Sequence, residues 1–240
     1  FGNRIFLLRM PGRYLTLAVT DDGTGFDVVA ASQNGGLGLL SIEERVRLVE
    51  GRPLDYRGPT LDNWWKIPDQ FSFARFEQLY PRDARTPPRF VFAATISTHV
   101  PFIRVPPYQP DWQRLLGEQP FDEVDVTREM ARPVDWLDMT PAYLRLVEYT
   151  YRWIGGYLRL PPSRDTVYVV LGDHQPTANV SGEGASWDVP VHIVSRDPQL
   201  LERFIVQGFA AGLEPPRTPL GGMHELTAML LQAFGPVAPH

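Results

Sequence analysis

The sequence predicts an α/β fold in which a sheet is covered by helices on both faces. Apolar runs rich in β-branched residues alternate along the chain with amphipathic stretches of helical period, which is the pattern of such a sheet. The 240 residues are 43% hydrophobic and 21% charged, which suits a globular chain with an ample core. The clearest apolar run, residues 166–171, is followed at once by Gly172, Asp173 and His174.

The overall composition argues against several classes of function. A net charge of −5 offers no basic surface for nucleic acid. The chain has no cysteine, so it can form neither disulfides nor thiolate metal sites. No apolar run approaches the ~18–20 residues of a transmembrane helix, and there is no signal-peptide pattern. Because the chain begins at Phe1 inside a strand-like run, we expect a fragment or a trimmed product.

The first part of the chain predicts a small unit of mixed α and β structure. Residues 4–9 and 13–20 are typical of two strands joined by a proline–glycine turn. Residues 41–50 place isoleucine and valine side chains on one stripe, which predicts a helix that ends at Gly51. Residues 53–57 predict a further strand.

Two glycine boxes precede that predicted helix. The first contains Asp21, Gly23 and Gly25, and the second contains Gly36 and Gly38. The boxes and the helix, in this order, resemble the ATP-binding domain of sensor histidine kinases. The resemblance implies that Asp21 bonds the adenine amino group and that Gly23 and Gly25 shape the pocket. It also implies that Gly36 and Gly38 open a helix whose amides face the phosphates of ATP bound with Mg²⁺.

This resemblance covers residues 1–57, which therefore predict a partial α+β ATPase segment. The family's earlier helix, with its asparagine ligand for Mg²⁺, has no counterpart here, and neither does the phospho-accepting histidine. We expect this segment to bind no ATP usefully. Taken alone, the acidic glycine box is also typical of a simple polar turn.

The middle of the chain predicts helices around a long irregular loop. Asp69 is expected to cap a helix over residues 71–80. Residues 90–98 predict a second buried strand, after which a proline-rich loop begins at His99 and is suited to lining a site. A short helix is expected near residues 111–116, and the twenty or so residues beyond it are expected to be mostly irregular.

The last hundred residues predict the longest helix, two strands and two further helices. Thr140 followed by proline is a strong start signal for a helix that extends to about Leu158. The stripe expected to face its core is formed by Leu144, Val147, Tyr151 and Ile154.

The two strands predicted in this part are both expected to be buried. Residues 167–171 are typical of a strand covered on both faces, and residues 189–195 predict the third buried strand of the sheet. His192 lies within that third strand, where a structural histidine with a satisfied hydrogen bond is expected. His224 opens the last helix, where a surface position is expected.

Asp173 and His174 are candidate metal ligands. In open α/β sheets, ligands bind beyond the carboxyl ends of the strands, which is where these two residues lie in the predicted fold. A carboxylate and a neutral imidazole suit Zn²⁺ or Mn²⁺. Gly172 allows a tight turn, and Pro176 prevents the strand from continuing. An Asp–His pair of this kind is also typical of a hydrogen-bonded loop cap, so both interpretations remain open.

Four boxes spread over the chain from about residue 58 to its end form a recognisable set. They are Trp-Trp-Lys-Ile-Pro-Asp at 64–69, Ile-Ser-Thr-His-Val-Pro-Phe at 96–102, Gly-Asp-His at 172–174 and Val-Pro-Val-His at 189–192. Residues 58–240 thereby resemble the C-terminal part of the sulfatase-like branch of the alkaline phosphatase superfamily. The resemblance implies an incomplete sulfatase-like domain. It also implies metal-dependent hydrolysis or transfer of sulfate or phosphate esters, whether small molecules, lipids or glycans.

The same resemblance assigns roles to individual residues. It implies that Asp173 and His174 bind a divalent metal, Zn²⁺, Mn²⁺ or Ca²⁺, and that His99 contacts the anionic oxygens or the leaving group of the substrate. In this family the nucleophile and the remaining acidic ligands belong to the N-terminal half of the domain. The hydroxyl residues just before His99 do not match the nucleophile motif. We therefore expect the chain alone to be inactive or nearly so.

The sequence leaves three hypotheses open. The first is the C-terminal portion of a sulfatase-like ester hydrolase or transferase, whose metal binding depends on Asp173. The second is a signalling module derived from a histidine kinase, whose ATP binding depends on Asp21. The third is a non-functional product of joined fragments. Relatives of the hydrolase work at or outside the membrane, whereas the kinase domains are cytoplasmic, so the location of the protein stays open.

Overall fold

A computed structural model describes residues 55–59, 61, 67–80, 91–161 and 166–235, together with the backbone of four two-residue strands before residue 54. These strands are β1 Leu8–Arg9, β2 Thr16–Leu17, β3 Leu48–Val49 and β4 Arg52–Pro53. β1 pairs with β2 and β3 with β4, both antiparallel. The glycine boxes with Asp21, Gly23, Gly25, Gly36 and Gly38 lie outside the described residues.

Two N-terminal predictions are wrong within the described residues: residues 55–57, expected to continue a strand from residue 53, form no strand, and the helix expected before them does not reach its predicted end. The hairpin expected over residues 4–20 is consistent with the pairing of β1 and β2. The helix expected over residues 41–50 is wrong at its end, because β3 there pairs with β4. Gly51 lies between these two strands in sequence, and a glycine favours a tight connection over the continuation of a helix.

The remaining described residues combine six α-helices with one antiparallel pair of strands. The helices are α1 Asp69–Leu79, α2 Glu123–Met130, α3 Thr140–Arg159, α4 Ala178–Ser181, α5 Pro198–Val206 and α6 Leu226–Phe234. The strands are β5 Tyr168–Leu171 and β6 Val191–Val194. The fold is therefore mixed α and β, which agrees with the α/β prediction at that coarse level.

The sheet is smaller and more exposed than the sequence predicts. β5 and β6 form a two-stranded antiparallel ribbon in which Tyr168 pairs with Val194 and Leu171 with Val191. Residues of both strands are half-buried, and Leu171 is 45% exposed. The expectation of strands buried on both faces is therefore wrong here. β-branched composition indicates a strand, but it does not say how many faces the neighbouring elements cover.

The best-packed part of the molecule is an aromatic core around α3. Its members are all less than a tenth exposed: Ala74, Trp112, Leu115, Phe121, Tyr149, Trp153 and Tyr157. The ring of Phe73, from α1, lies 4.7 Å from that of Trp153 and 4.9 Å from that of Tyr157. Tilted and edge-on rings at such distances add to the stabilisation from buried area. α1 and α3 are held together by these contacts.

The long helix is confirmed, but the predicted buried face of that helix is wrong. α3 begins at Thr140 with proline in its first turn and ends one residue beyond the expected Leu158. Of the predicted stripe, Leu144 is 59% and Tyr151 is 53% exposed, whereas Val147 and Ile154 are half-buried and Ile154 packs against the aromatic core. The buried residues of the helix are Leu146, Tyr149, Trp153, Gly156 and Tyr157. The helix carries two apolar stripes, and the one with the larger aromatic side chains packs inward, where it removes more area from water.

Three further expectations for the middle of the chain change. Residues 91–96, predicted as a buried strand, are irregular and exposed up to the buried Ile96. The short helix near 111–116 is a 3₁₀ turn, Arg114–Leu116. The segment expected to be irregular contains α2, which was missed because most of its side chains are charged or half-exposed.

The C-terminal helices agree with the sequence. Asp197 caps α5 by accepting hydrogen bonds from the backbone N–H groups of Gln199 and Leu200, and the proline in the first turn supports the same start. α5 packs against α6, and the Arg203 guanidinium donates to the carbonyls of Ala233 and Gly235 at the end of α6. Among the described helices, none is both long and apolar enough to cross a membrane.

Candidate metal site and the loop of His99

Asp173 and His174 lie directly after β5, as the sequence predicts. The Gly172 amide donates to the Pro190 carbonyl, so the ribbon stays paired up to this point. A Cβ atom at Gly172 would lie 3.2 Å from the Cβ of Val189, which leaves room for glycine but scarcely for a larger residue. The two strands of the ribbon therefore approach closely at Gly172 and Val189. Beyond this point the chain turns outward and exposes Asp173 and His174.

Both candidate ligands face solvent. The side chain of Asp173 is 89% exposed and that of His174 is 63% exposed. Asp173 Oδ1 accepts the hydrogen bond of the His174 amide at 2.9 Å, which folds the carboxylate back over the following residue. The other carboxylate oxygen, Oδ2, lies 3.6 Å from His174 Nε2.

The spacing between these two atoms is longer than a hydrogen bond and lies within the range of an ion pair or of two ligands of one cation. A hydrogen bond between nitrogen and oxygen is ~2.7–3.2 Å long, so 3.6 Å exceeds its range. Tetrahedral Zn²⁺ with ligands at ~2.1 Å separates neighbouring donor atoms by ~3.4 Å. The pair thus fits a divalent metal in both donor type and spacing.

The tautomer of His174 is also the one a metal ligand needs. Its Nδ1 lies 2.7 Å from the Gln175 carbonyl oxygen. Because a carbonyl only accepts, Nδ1 carries the proton in this contact. In the neutral ring, Nε2 then holds the lone pair and can bind a metal. Hydrogen bonding of the second ring nitrogen to a carbonyl commonly orients ligating histidines.

The described residues contribute only part of a metal coordination shell. No group of three or more His, Cys, Asp or Glu suited to a metal ion occurs among them. Zn²⁺ takes four ligands in structural sites and at least three protein ligands in catalytic ones. Asp173 and His174 therefore amount to half of a tetrahedral shell.

His99 lies on a separate loop and is also exposed. Its amide donates to the Ile96 carbonyl at 3.0 Å and closes a tight turn over residues 96–99. Its Nδ1 lies 2.6 Å from the Val100 carbonyl, so this ring nitrogen donates and Nε2 is the one that can exchange a proton with a ligand oxygen. The two candidate histidines thus share the same backbone-fixed tautomer.

A buried carboxylate holds the start of this loop. Asp69 is 5% exposed, and its Oδ2 accepts from the Ile96 amide at 3.0 Å, the Ser97 amide at 2.8 Å and the Ser97 hydroxyl at 2.6 Å. The expected role of Asp69 as a helix cap is wrong: Pro68 occupies the cap position and Asp69 is the first residue of α1. The carboxylate instead supplies the partners that an irregular backbone lacks.

Two more buried side chains hold the far end of the loop. Glu129, on α2, accepts from the Val105 amide at 3.0 Å. Gln70, on α1, donates to the Gln109 carbonyl at 2.6 Å and accepts from the Gln109 amide at 3.1 Å. Both residues are less than a tenth exposed. The loop is therefore fixed at three points, although it forms no regular secondary structure.

The electrostatics of this region are set by burial. Burial raises the pKa of Asp69 above its usual value, although the hydrogen bonds from Ser97 and Ile96 lower it. Burial and the neighbouring Asp69 carboxylate raise the pKa of Tyr149 well above its usual range. The tyrosine therefore stays neutral throughout the physiological range, and Asp69 is the titratable group of this cluster.

Sequence reasoning found the exposed residues and missed the buried polar ones. Asp173, His174 and His99 stand on loops, as predicted. Asp69 was assigned to a cap, and Glu129 was assigned no role. Buried positions are predicted from the periodic spacing of apolar residues, and a polar residue that a neighbouring loop covers is not part of such a pattern. The only available signal was that the proline-rich loop needs hydrogen-bond partners from somewhere else in the chain.

Comparisons with known proteins add no relative to this picture. The chain matches no model of a known protein family, no curated protein and no solved structure.

Proposed function

We propose that residues 58–240 form the metal-binding C-terminal part of a sulfatase-like hydrolase or transferase of sulfate or phosphate esters. Asp173 and His174 are two ligands of its divalent cation, and His99 acts on the substrate. The observation that carries the proposal is the 3.6 Å separation of Asp173 Oδ2 and His174 Nε2. This spacing and the tautomer of His174 are compatible with a shared cation, while the hydrogen bond from the His174 amide to Asp173 is the one that a loop cap would make.

The donor atoms favour Zn²⁺ or Mn²⁺ over Ca²⁺. Ca²⁺ takes six to eight oxygen ligands, whereas an imidazole nitrogen suits transition metals and zinc. When bound, such a cation neutralises the oxyanion of the ester and lowers the pKa of the attacking group. The Asp173 carboxylate supplies negative charge to the site, and the Gln175 carbonyl keeps the His174 ring in its ligating orientation.

His99 has the chemistry of a proton-transfer group at an ester oxygen. With Nδ1 bonded to the Val100 carbonyl, Nε2 can accept a proton from an attacking hydroxyl or, once protonated, donate to the leaving oxygen. The nearest hydroxyl residues in sequence are Thr98 and Ser97; neither matches the nucleophile motif of the family, and the Ser97 hydroxyl already donates to Asp69. The proposal therefore takes the nucleophile and the remaining ligands from outside this set of residues, and it expects little or no turnover by the chain alone.

Calorimetric titration of the purified chain with Mn²⁺ and Zn²⁺ tests the metal site. We expect saturable binding of one ion with an affinity limited by the two ligands, and loss of that binding in Asp173→Ala. His224→Ala is the matched control, because His224 is exposed but lies on a different element. Binding that is absent, or that is unchanged by Asp173→Ala, would refute the metal site.

A titration with ATP separates the second hypothesis from the first. A signalling module derived from a histidine kinase requires ATP binding that depends on Asp21. Under the hydrolase proposal, the chain and its Asp21→Ala variant give the same absence of heat with ATP and Mg²⁺. ATP binding that is lost in Asp21→Ala would favour the kinase-derived module.

A further inference from the structure

One carboxylate carries most of the hydrogen bonding at the start of the His99 loop. Oδ2 of Asp69 accepts from two successive backbone amides, those of Ile96 and Ser97, and from the Ser97 hydroxyl. The three distances, 2.6 to 3.0 Å, are those of well-formed bonds to a charged acceptor. The donors are 27 and 28 residues away in sequence, so this is a tertiary contact between α1 and the loop.

The held residues are the ones that determine the position of His99. The carbonyl of Ile96 accepts the amide hydrogen of His99 at 3.0 Å, so Asp69 holds one side of the peptide turn and His99 closes the other. The imidazole is then oriented by Val100, the next residue. The Asp69 carboxylate thus bonds the amide of Ile96, and the carbonyl of the same residue bonds the amide of His99. The buried carboxylate and the exposed imidazole are connected through the backbone of this turn.

The rest of the loop depends on other anchors. Glu129 holds Val105, and Gln70 holds Gln109. Both contacts lie six or more residues beyond His99, where they fix the path of the chain but not the turn over residues 96–99. Asp69 is therefore the anchor that acts on the histidine itself.

We propose that Asp69 is a positioning residue, which holds the turn over residues 96–99 so that His99 presents Nε2 to the anionic group of the substrate. The inference rests on the proposed function, in which His99 contacts that group. Burying a carboxylate costs more free energy than burying an apolar side chain of similar size, because the hydrogen bonds that it loses to water must be replaced within the protein. Three donors aimed at one oxygen provide that compensation and also fix the turn.

The test compares the ring of His99 in variants of the full chain. Long-range ¹H–¹⁵N spectra report the tautomer of each of the five histidines, and a His99→Gln variant assigns the His99 signals. The wild-type chain is expected to show the Nδ1–H form of His99. Asp69→Asn keeps one acceptor oxygen but places an NH₂ group, which cannot accept, where Oδ1 accepts from the Ile96 amide at 3.1 Å, so the turn loosens and the ring nitrogens shift towards the average of the two tautomers.

Inorganic phosphate is the probe for the anion. Titration of the wild-type chain is expected to shift the ring nitrogens of His99 in a saturable way. In Asp69→Asn we expect phosphate to bind at least about tenfold more weakly, which is the loss typical when a residue that orients a ligand-contacting group is removed. Phosphate without effect on His99 in the wild-type chain would refute the proposed role of His99, while the tautomer measurement still decides whether Asp69 positions the ring.

Glu129→Gln is the matched control. It removes a negative charge from a buried anchor of the same loop, at Val105 instead of Ile96, and it also removes the ion pairs of Glu129 with Arg132 and Arg145. It should lower the stability of the chain but leave the tautomer of His99 and the phosphate affinity at wild-type values. Equal changes in both variants, or unchanged His99 signals in Asp69→Asn, would overturn the positioning role.

A second variant keeps the test decisive if Asp69→Asn fails to fold. Ser97→Ala removes only the hydroxyl bond to Asp69 and leaves both amide bonds in place. It should shift the His99 ring signals in the same direction as Asp69→Asn, by a smaller amount. Wild-type signals in a folded Ser97→Ala chain would count against the proposal.

Discussion

The aromatic core around α3 and the β5–β6 ribbon adjoin one another but differ in almost every physical respect. The ring of Tyr157, in the core, lies 6.0 Å from that of Tyr168, at the start of the ribbon. Trp153 is 1% exposed, whereas the ribbon ends in Leu171, 45% exposed, and in two side chains that stand in solvent. Stability is therefore concentrated on one side of this contact and the candidate chemistry on the other.

The difference shows where substitution is expected to harm folding and where it is expected to harm binding. Ligand-binding residues commonly stand on exposed loops that a rigid scaffold positions. Here the scaffold is the packed layer of α1 and α3, and the exposed elements are the end of the ribbon and the turn of His99. Substitutions in the core should therefore change stability, and substitutions at the exposed elements should change binding.

The largest effect is expected in the core. Trp153→Ala removes a side chain that packs against Phe73 and is almost wholly buried, so it should lower the free energy of unfolding by about 3–5 kcal/mol. Leu144→Ala, on the exposed face of the same helix, should cost less than about 1 kcal/mol. Urea denaturation measures both. Comparable losses of unfolding free energy in the two variants would mean that the stripe with Leu144 is buried, as the sequence predicts.

The next effect is a pH dependence at the anchor of the loop. The pKa of Asp69 is raised by burial, so the folded chain holds a proton that the unfolded chain has released. Stability therefore falls as pH rises from the ordinary value of ~3.9 through the raised value. In Asp69→Asn, which cannot titrate, this decrease of stability with rising pH is absent. Urea denaturation at pH 4 and pH 8 should give a drop in the free energy of unfolding that is larger in the wild-type chain than in Asp69→Asn.

A substitution that adds stability is expected within the ribbon. His192 is half-buried beside the ring of Tyr151, and within the described part of the chain its Nε2 is buried without a hydrogen-bond partner. The expected place of His192 in a strand is confirmed, and the expectation of a satisfied hydrogen bond fails at Nε2. His192→Phe should raise the free energy of unfolding by roughly 1 kcal/mol, because an unpaired buried polar atom is removed. A loss in urea denaturation would indicate that the imidazole has a partner, and His224→Phe serves as the exposed control.

The smallest effect on stability is expected at the candidate ligands. Asp173→Ala and His174→Ala each remove a mostly exposed side chain, so each should change the free energy of unfolding by less than about 0.5 kcal/mol. The same variants are expected to lose metal binding. A large destabilisation without metal would mean that the pair is a structural loop cap, which was the alternative left open by the sequence.

The sequence predicts helices well where a start signal and a long period coincide. α3 and α5 both begin with proline in the first turn, and the predicted extent of α3 agrees with the structure to within one residue. α2 was not predicted because half of its eight residues are charged and the few apolar ones give no clear stripe. The buried face of α3 was misassigned because periodicity gives two equivalent stripes, and only tertiary packing distinguishes them.

The candidate site was predictable in position but not in surroundings. A strand followed by Gly172, Asp173 and His174 places the pair at a strand end whatever the sheet looks like. The strand predicted over residues 90–98 did not form, since β composition alone supplies no hydrogen-bonded neighbour. Its backbone is held instead by Asp69, and a contact over 27 residues leaves no trace in local pattern.

The anchors of the His99 loop have a consequence for how such a sequence can diverge. Of the contacts made by Asp69, Gln70 and Glu129 with the loop, all but the one to the Ser97 hydroxyl are to backbone atoms. Backbone groups are the same for almost every amino acid, so substitutions along the loop leave these bonds intact. Variation can therefore accumulate between the anchors while the anchors themselves stay fixed. This segment is a natural place to introduce substitutions by directed evolution without rebuilding the fold.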